Sequence, residues 1–241
     1  MSDTQVYPTP RDAAEHCGDF ILQLLKEALA NQPAATLAIS GGSTPRPMFE
    51  HMAKARFDWS RVHLFWVDER AVPPTDSQSN YRLADETLIR AAQIPGANLH
   101  RVQAELDPAE AARLYSEEIR SFFALDAAVM PQFDVIHRGI GPDAHTASLF
   151  PGEPLIDDRE NLVAAVYVEK MNSSRITMLP GVLLAAKHTA MLVCGADKVD
   201  AVGHIFHDKL DARKYPAQAL SHPPGGITWF FDVPAAAPLE S

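Results

Sequence analysis

Residues 133–152 read FDVIHRGIGPDAHTASLFPG. The apolar run from Phe133 to Ile136 predicts the tail of a buried strand. The next segment, Gly139 to His145, holds two glycines, a proline, an aspartate and a histidine within seven residues. Neither a helix nor a strand accommodates that composition, so it predicts a loop leaving a strand end. In open α/β sheets, ligands bind just beyond the carboxyl ends of the strands. The loop therefore carries Asp143 and His145 to the place where a substrate would lie.

Working outward, strand and helix patterns alternate along the chain. Helical spacing over 12–31 places Phe20, Ile21, Leu24, Leu25 and Ala28 on one side, with Asp12 as the expected cap. Short apolar runs predict strands at Thr36–Ile39, Val62–Val67, Asn98–Val102, Leu162–Val168, Thr189–Cys194 and Gly226–Phe231. Helices are expected at Tyr81–Ala92, Pro108–Phe123, Leu179–Ala186 and from Gly195 to about Phe206, with one turn at Tyr215–Leu220. Lys170–Ser174 reads as a polar loop before Arg175-Ile176-Thr177. The alternation predicts an α/β fold, a mainly parallel, Rossmann-like sheet with helices on both faces. No linker, repeat or heptad run divides it, so one domain over 1–241 is expected, with frayed ends at 1–10 and 234–241.

The predicted first strand runs into Ser40-Gly41-Gly42-Ser43-Thr44-Pro45 and then a helical pattern at Met48, Phe49 and Met52. Glycines let backbone N–H groups approach a ligand, Ser43 and Thr44 can cap the helix or donate hydroxyls, and a helix N-terminus favours an anion. The segment matches neither the Walker loop nor GxGxxG, so no nucleotide is implied. Asp68-Glu69-Arg70 ends the second predicted strand at the same sheet edge, where Arg70 can face an anion. Lys198 lies near a helix N-terminus, where a bound anion would offset its unfavourable position.

Composition narrows the partners. The 31 acidic and 21 basic residues give a net charge of −10, which argues against nucleic acid; an anionic small molecule then needs a local positive site. Cys17 and Cys194 are expected to be buried free thiols. His204 and His207 stand three apart with no third ligand, so no metal is expected. No signal peptide or membrane span is expected, which points to the cytoplasm. Oligomeric state stays open between monomer and small homo-oligomer.

Taken together, SGGSTP at 40–45, WVDER at 66–70, SNY at 79–81 and GPDAHTASLFPG at 141–152 resemble the 6-phosphogluconolactonase family of the oxidative pentose phosphate pathway. The resemblance runs from about Ala34 to Phe231. It implies the sugar-phosphate isomerase/lactonase type of fold and the opening of 6-phospho-D-glucono-1,5-lactone to 6-phospho-D-gluconate without a cofactor. It makes His145 the general base, preceded by Asp143. It assigns the phosphate to Gly41, Gly42, Ser43 and Thr44 with Arg70, Arg175 and Lys198; Asp68 joins the substrate-binding set. The carboxylate that supports His145 is either Asp143 or Asp68. The oxyanion can be met by Arg70 or by loop N–H groups.

The chain departs from the family pattern in places. Ala144 replaces a glycine. A left-handed backbone there would cost alanine about 1 kcal/mol, and a small backbone shift that avoids it is expected. His137-Arg138 replaces an apolar pair, with Arg138 expected to point to solvent. Met171–Ser174 lacks the usual prolines, which leaves the place of Arg175 open. The alternatives are a glucosamine-6-phosphate deaminase or isomerase and a non-catalytic sugar-phosphate-binding protein. The deaminase pattern has a glutamate where this chain has Phe150 and a tyrosine where it has Arg70. The sensor reading lacks a DNA-binding appendage.

Overall fold

The computed structural model describes residues 2–126 and 129–240. Its strands are β1 (Ser2–Tyr7), β2 (Ala35–Ile39), β3 (Val62–Trp66), β4 (Asp68–Arg70), β5 (Leu99–His100), β6 (Val135–Arg138), β7 (Val163–Val168), β8 (Ser173–Met178), β9 (His188–Val193) and β10 (Ile227–Asp232). Seven of them lie side by side in the order β1-β10-β9-β6-β2-β3-β5, every pair parallel. From β2 the chain winds outward through β3 and β5, then returns to build β6, β9 and β10 on the other side. The direction of winding therefore reverses between β2 and β6. Such a switch point opens a crevice at the carboxyl ends of the two strands. The turns beginning at Ser40 and Gly139 both leave from it.

Helices cover both faces of the sheet. Alternate strand residues point to opposite faces, and β9 and β10 show the consequence. Ala190, Leu192 and Phe230 join one apolar cluster with the Pro10–Asn31 and Arg46–Lys54 helices. Met191, Val193, Trp229 and Phe231 join another with the Val199–His207 helix. The Pro10–Asn31 helix buries Ala13, Cys17, Ile21 and Leu25 at four-residue spacing. Thr9, not Asp12, caps it: the Thr9 hydroxyl accepts from the Asp12 N–H at 3.1 Å. Cys17 and Cys194 are free and buried.

A three-stranded antiparallel sheet, β4-β8-β7, departs from the expected single-sheet arrangement. The run over 162–168 was read as one more buried strand, and 170–174 as a loop before Arg175. Instead β7 and β8 form a hairpin against the Pro108–Phe122 helix. Their mixed burial fits an antiparallel sheet with one wetted face. Asp68-Glu69-Arg70 is not a solvated strand end but its third strand, with Asp68 and Glu69 buried.

Neither end is frayed within the described residues; Met1 and Ser241 lie outside them. β1 pairs in full register with β10, from Ser2↔Ile227 to Tyr7↔Asp232. Its partner is the last strand of the chain, so no local pattern announces the pairing. At the other end, the Asp232 carboxylate caps a Val233–Ala236 helix through the Ala235 N–H at 3.0 Å. Ala235 and Ala236 are buried beside the Val199–His207 helix. Among the described residues no helix is long and apolar enough to cross a membrane.

Candidate active site

The turns after β2 and β6, with side chains from β4, β8 and the Ala196–Lys198 turn, enclose a cleft of about 240 Å³. Gly41 to Thr44, Asp68, Arg70, His145, Arg175 and Lys198 all line it. Asp143 stands behind His145: its Oδ1 lies 2.6 Å from His145 Nδ1. An ionised carboxylate only accepts, so Nδ1 carries the proton and Nε2 is left as the basic nitrogen. The carboxylate hydrogen-bonded to the imidazole is thus Asp143. Asp68 instead accepts from the Ser148 hydroxyl at 2.7 Å.

The His145 ring stacks on Phe150, with centroids 4.2 Å apart. Burial pushes its pKa down to about 4; Asp68 pulls it back up, while Lys198, Arg175 and Arg70 add to the depression. The imidazole is therefore neutral through the whole neutral range.

The loop that holds these groups is closed by its own backbone. The Gly141 N–H donates to the His145 carbonyl at 2.8 Å and the Ala144 N–H to the Gly141 carbonyl at 3.0 Å. The Thr146 hydroxyl donates to the Gly139 carbonyl at 2.9 Å. Ala144 has φ +61°, so the left-handed backbone persists and the expected shift does not occur. Its methyl group is fully buried among Ile140, Met191 and Val193. Ala144→Gly should relieve about 1 kcal/mol of backbone strain. It should lose about 0.8 kcal/mol of buried methyl and add chain entropy to the unfolded state. These terms oppose one another, so denaturant titration is expected to show a stability change within about 1 kcal/mol. A much larger gain would mean that the methyl packing offsets nothing.

Arg70 and Arg175 face each other across the β4–β8 ladder. Like charges directly opposite are destabilising. Burial lowers the pKa of Arg175, and Arg70 lowers it further. Among the described residues, Arg70 donates to the Gln78 carbonyl at 2.6 Å and Arg175 to the Met171 sulfur at 3.1 Å. The Nε atom of each is buried and, among the described residues, without a partner. A doubly charged anion between them would relieve the repulsion and satisfy both. Lys198 lines the same cleft and pairs with Asp197 at 2.8 Å. The hairpin pairing, absent from the sequence reading, fixes where Arg175 lies.

Ser43 and Thr44 line the cleft but do not cap the helix, which begins at Arg46 with no side-chain cap. Gly42 adopts φ +103°. Gly41 has a different reason to be glycine: a Cβ there would sit 1.8 Å from Asn80 Oδ1. Asn80 is the middle residue of the SNY segment at 79–81. Buried Glu69 holds it in place, accepting from the Asn80 and Tyr81 N–H groups at 2.8 Å each. The Asn80 amide donates to the Asp68 carbonyl at 2.8 Å, and its Oδ1 and the nearby Ser40 hydroxyl have no partner among the described residues.

Arg138 does not reach solvent. It is fully buried and donates to the Leu220 carbonyl at 2.9 Å. A parallel-sheet strand covered on both faces offers no route to water. His137 beside it is buried as well, and burial, then Arg138, push its pKa down to about 3.

Residues 8–229 match the family described as glucosamine-6-phosphate isomerases/6-phosphogluconolactonase. A 6-phosphogluconolactonase of Synechocystis is 36% identical over 217 residues, covering 90% of this chain and 89% of the relative. One from Nostoc is 35% identical over 223 residues, covering 92% of each. The crystal structure of a 6-phosphogluconolactonase from Thermotoga maritima superposes with a TM-score of 0.83 at 29% identity, over 96% of this chain and all of that one.

Proposed function

Because the chain belongs to the glucosamine-6-phosphate isomerase/6-phosphogluconolactonase family, we propose that it hydrolyses 6-phospho-D-glucono-1,5-lactone to 6-phospho-D-gluconate. The observation that carries this reading is one cleft lined by both the neutral His145 and the opposed Arg70–Arg175 pair. The arginine pair, with Lys198 and the Gly41–Thr44 turn, binds the phosphate. The lactone carbonyl then lies toward His145.

A lactone is an activated internal ester, and its hydrolysis needs a base and an oxyanion stabiliser. His145 Nε2 takes a proton from water as the water oxygen bonds to the carbonyl carbon. Asp143 steadies the imidazolium that forms, as carboxylates do in triads. With Arg70 engaged on the phosphate, loop N–H groups meet the tetrahedral oxyanion. When the bond from the carbonyl carbon to the ring oxygen breaks, the imidazolium returns its proton to that oxygen. The products are a hydroxyl and a carboxylic acid, which ionises and releases one proton.

The deaminase alternative places a glutamate where Phe150 stands. Here that position holds an aromatic ring stacked on the imidazole, which cannot transfer a proton.

Proton release from freshly generated phosphorylated lactone, run beside the unphosphorylated lactone, tests the proposal. Acceleration above the spontaneous rate is expected for the phosphorylated substrate alone. Equal acceleration of both would remove the phosphate pocket, and acceleration of neither would overturn the reaction.

A further inference from the structure

Lys170 opens the polar segment that precedes Arg175 in the sequence. It lies at the tip of the β7–β8 hairpin, in the Glu169–Met171 turn, and its Nζ meets Asp143 Oδ2. The other oxygen of the same carboxylate, Oδ1, holds His145 Nδ1. Lys170 Nζ also stands 4.5 Å from the centroid of the Phe150 ring, on which His145 is stacked. Lys170, Asp143, His145 and Phe150 thus form one closed group of contacts drawn from two segments of the chain.

The side from which Lys170 approaches matters. It borders a surface depression with Asp143, Phe150 and Glu153, and does not line the cleft that holds Arg70, Arg175 and Lys198. It is therefore placed to act on the carboxylate and not on the substrate. A carboxylate held only by His145 can rotate about its terminal torsion, which is broad and two-fold. Fixing its outer oxygen leaves the inner one aimed at Nδ1.

We propose that Lys170 is a positioning residue for the reaction, holding Asp143 so that the imidazole keeps its Nδ1–H tautomer and its orientation. The proposal rests on the reading of His145 as the base. Its contribution is to geometry and charge, not to the fold. The Lys170 side chain is 49% exposed and that of Asp143 30%, and ion pairs so exposed contribute little stability. The contact also joins the β7–β8 hairpin to the catalytic loop. Met171, next in the hairpin, in turn receives Arg175.

The test compares Lys170→Met, which keeps an apolar stem over Phe150, with Lys170→Arg, which keeps the charge. Lys170→Met should lower kcat roughly tenfold through lost orientation, with KM within about twofold and an unchanged melting temperature. Lys170→Arg should restore most of kcat. A second readout needs no turnover: the His145 imidazole titration followed by NMR without substrate. The charged groups that bear on His145 are Asp143, Asp68, Lys198, Arg175 and Arg70, all retained in the variant. Loss of the Lys170 cation removes a positive charge from beside the imidazole, so the titration should move to higher pH. An unmoved titration, an unchanged kcat, or a raised KM at constant kcat would each overturn the proposal. A wild-type protein that opens no lactone but shows the NMR shift would instead fault the functional reading.

Discussion

His145→Ala should lower kcat by roughly 10²–10⁴, the usual value of a positioned general base. It should leave affinity for 6-phosphogluconate nearly unchanged. The separation follows from the geometry. The anion is met by Arg70, Arg175 and Lys198 from β4, β8 and the turn after β9, whereas the imidazole comes from the loop after β6. Product binding by calorimetry and turnover by proton release should therefore come apart in this variant. The pH profile provides a second check. Burial holds the imidazole near 4, and the base works only when unprotonated. Once the second ionisation of the substrate phosphate, at about pH 6, is divided out, the kcat/KM of the wild-type enzyme should be flat from about pH 5 through neutrality and fall as pH drops through about 4, since that ratio reports the free enzyme. A rate unchanged by His145→Ala would remove the mechanism while leaving the family assignment intact.

The central sheet was legible because its strands are short, apolar and separated by helical periods. The catalytic loop was legible because glycine, proline, aspartate and histidine in one short segment exclude regular structure. What escaped notice depended on contacts between distant segments. β1 pairs with β10, from the opposite end of the chain. β4 joins β8 only after more than a hundred intervening residues, and this pairing sets Arg70 against Arg175. Glu69 reads as one charge in a polar run. Its role emerges only when its oxygens are seen to take the N–H groups of Arg70, Asn80 and Tyr81. Burial raises the pKa of its carboxyl, and those donors offset part of the rise.

Arg138 and Ala144 show a different limit, since both break a local rule for a tertiary reason. A charged side chain in an apolar strand suggests an exposed position, yet Arg138 is enclosed, with one donor committed to the Leu220 carbonyl. An alanine in a left-handed position suggests that the backbone will yield. Instead the loop hydrogen bonds fix the turn, and the Ala144 carbonyl accepts the Ala217 N–H at 2.9 Å. Propensity is a weak prior that packing can override.

Gly141→Ala is expected to damage catalysis nearly as much as loss of the imidazole. Gly141 is not needed for a left-handed backbone, since its φ lies outside that region. It is needed for space: a Cβ there would sit 2.0 Å from both Nδ1 and Cε1 of His145 and 2.8 Å from Asp143 Oδ1. Real carbons do not approach so closely, so either the ring or the loop must move. The loop is held by the Gly141 N–H on the His145 carbonyl and by the Thr146 hydroxyl on Gly139, whereas the ring is held by Asp143 and Phe150. The ring is the part that yields, and the Nδ1–Oδ1 hydrogen bond goes with it. Displacement of a catalytic group by about 1 Å costs on the order of 10²-fold in rate. Gly141→Ala should therefore lose about that factor in kcat, bind 6-phosphogluconate normally and fold normally. The atoms nearest that methyl belong to His145 and Asp143, on the side of the base and not of the arginine pair. A variant with kcat within a factor of a few of wild type would mean either that the loop relaxes or that the imidazole does not need its place. A structure of the variant separates these: a shifted loop with the ring unmoved preserves the mechanism, whereas a displaced ring with full activity ends it.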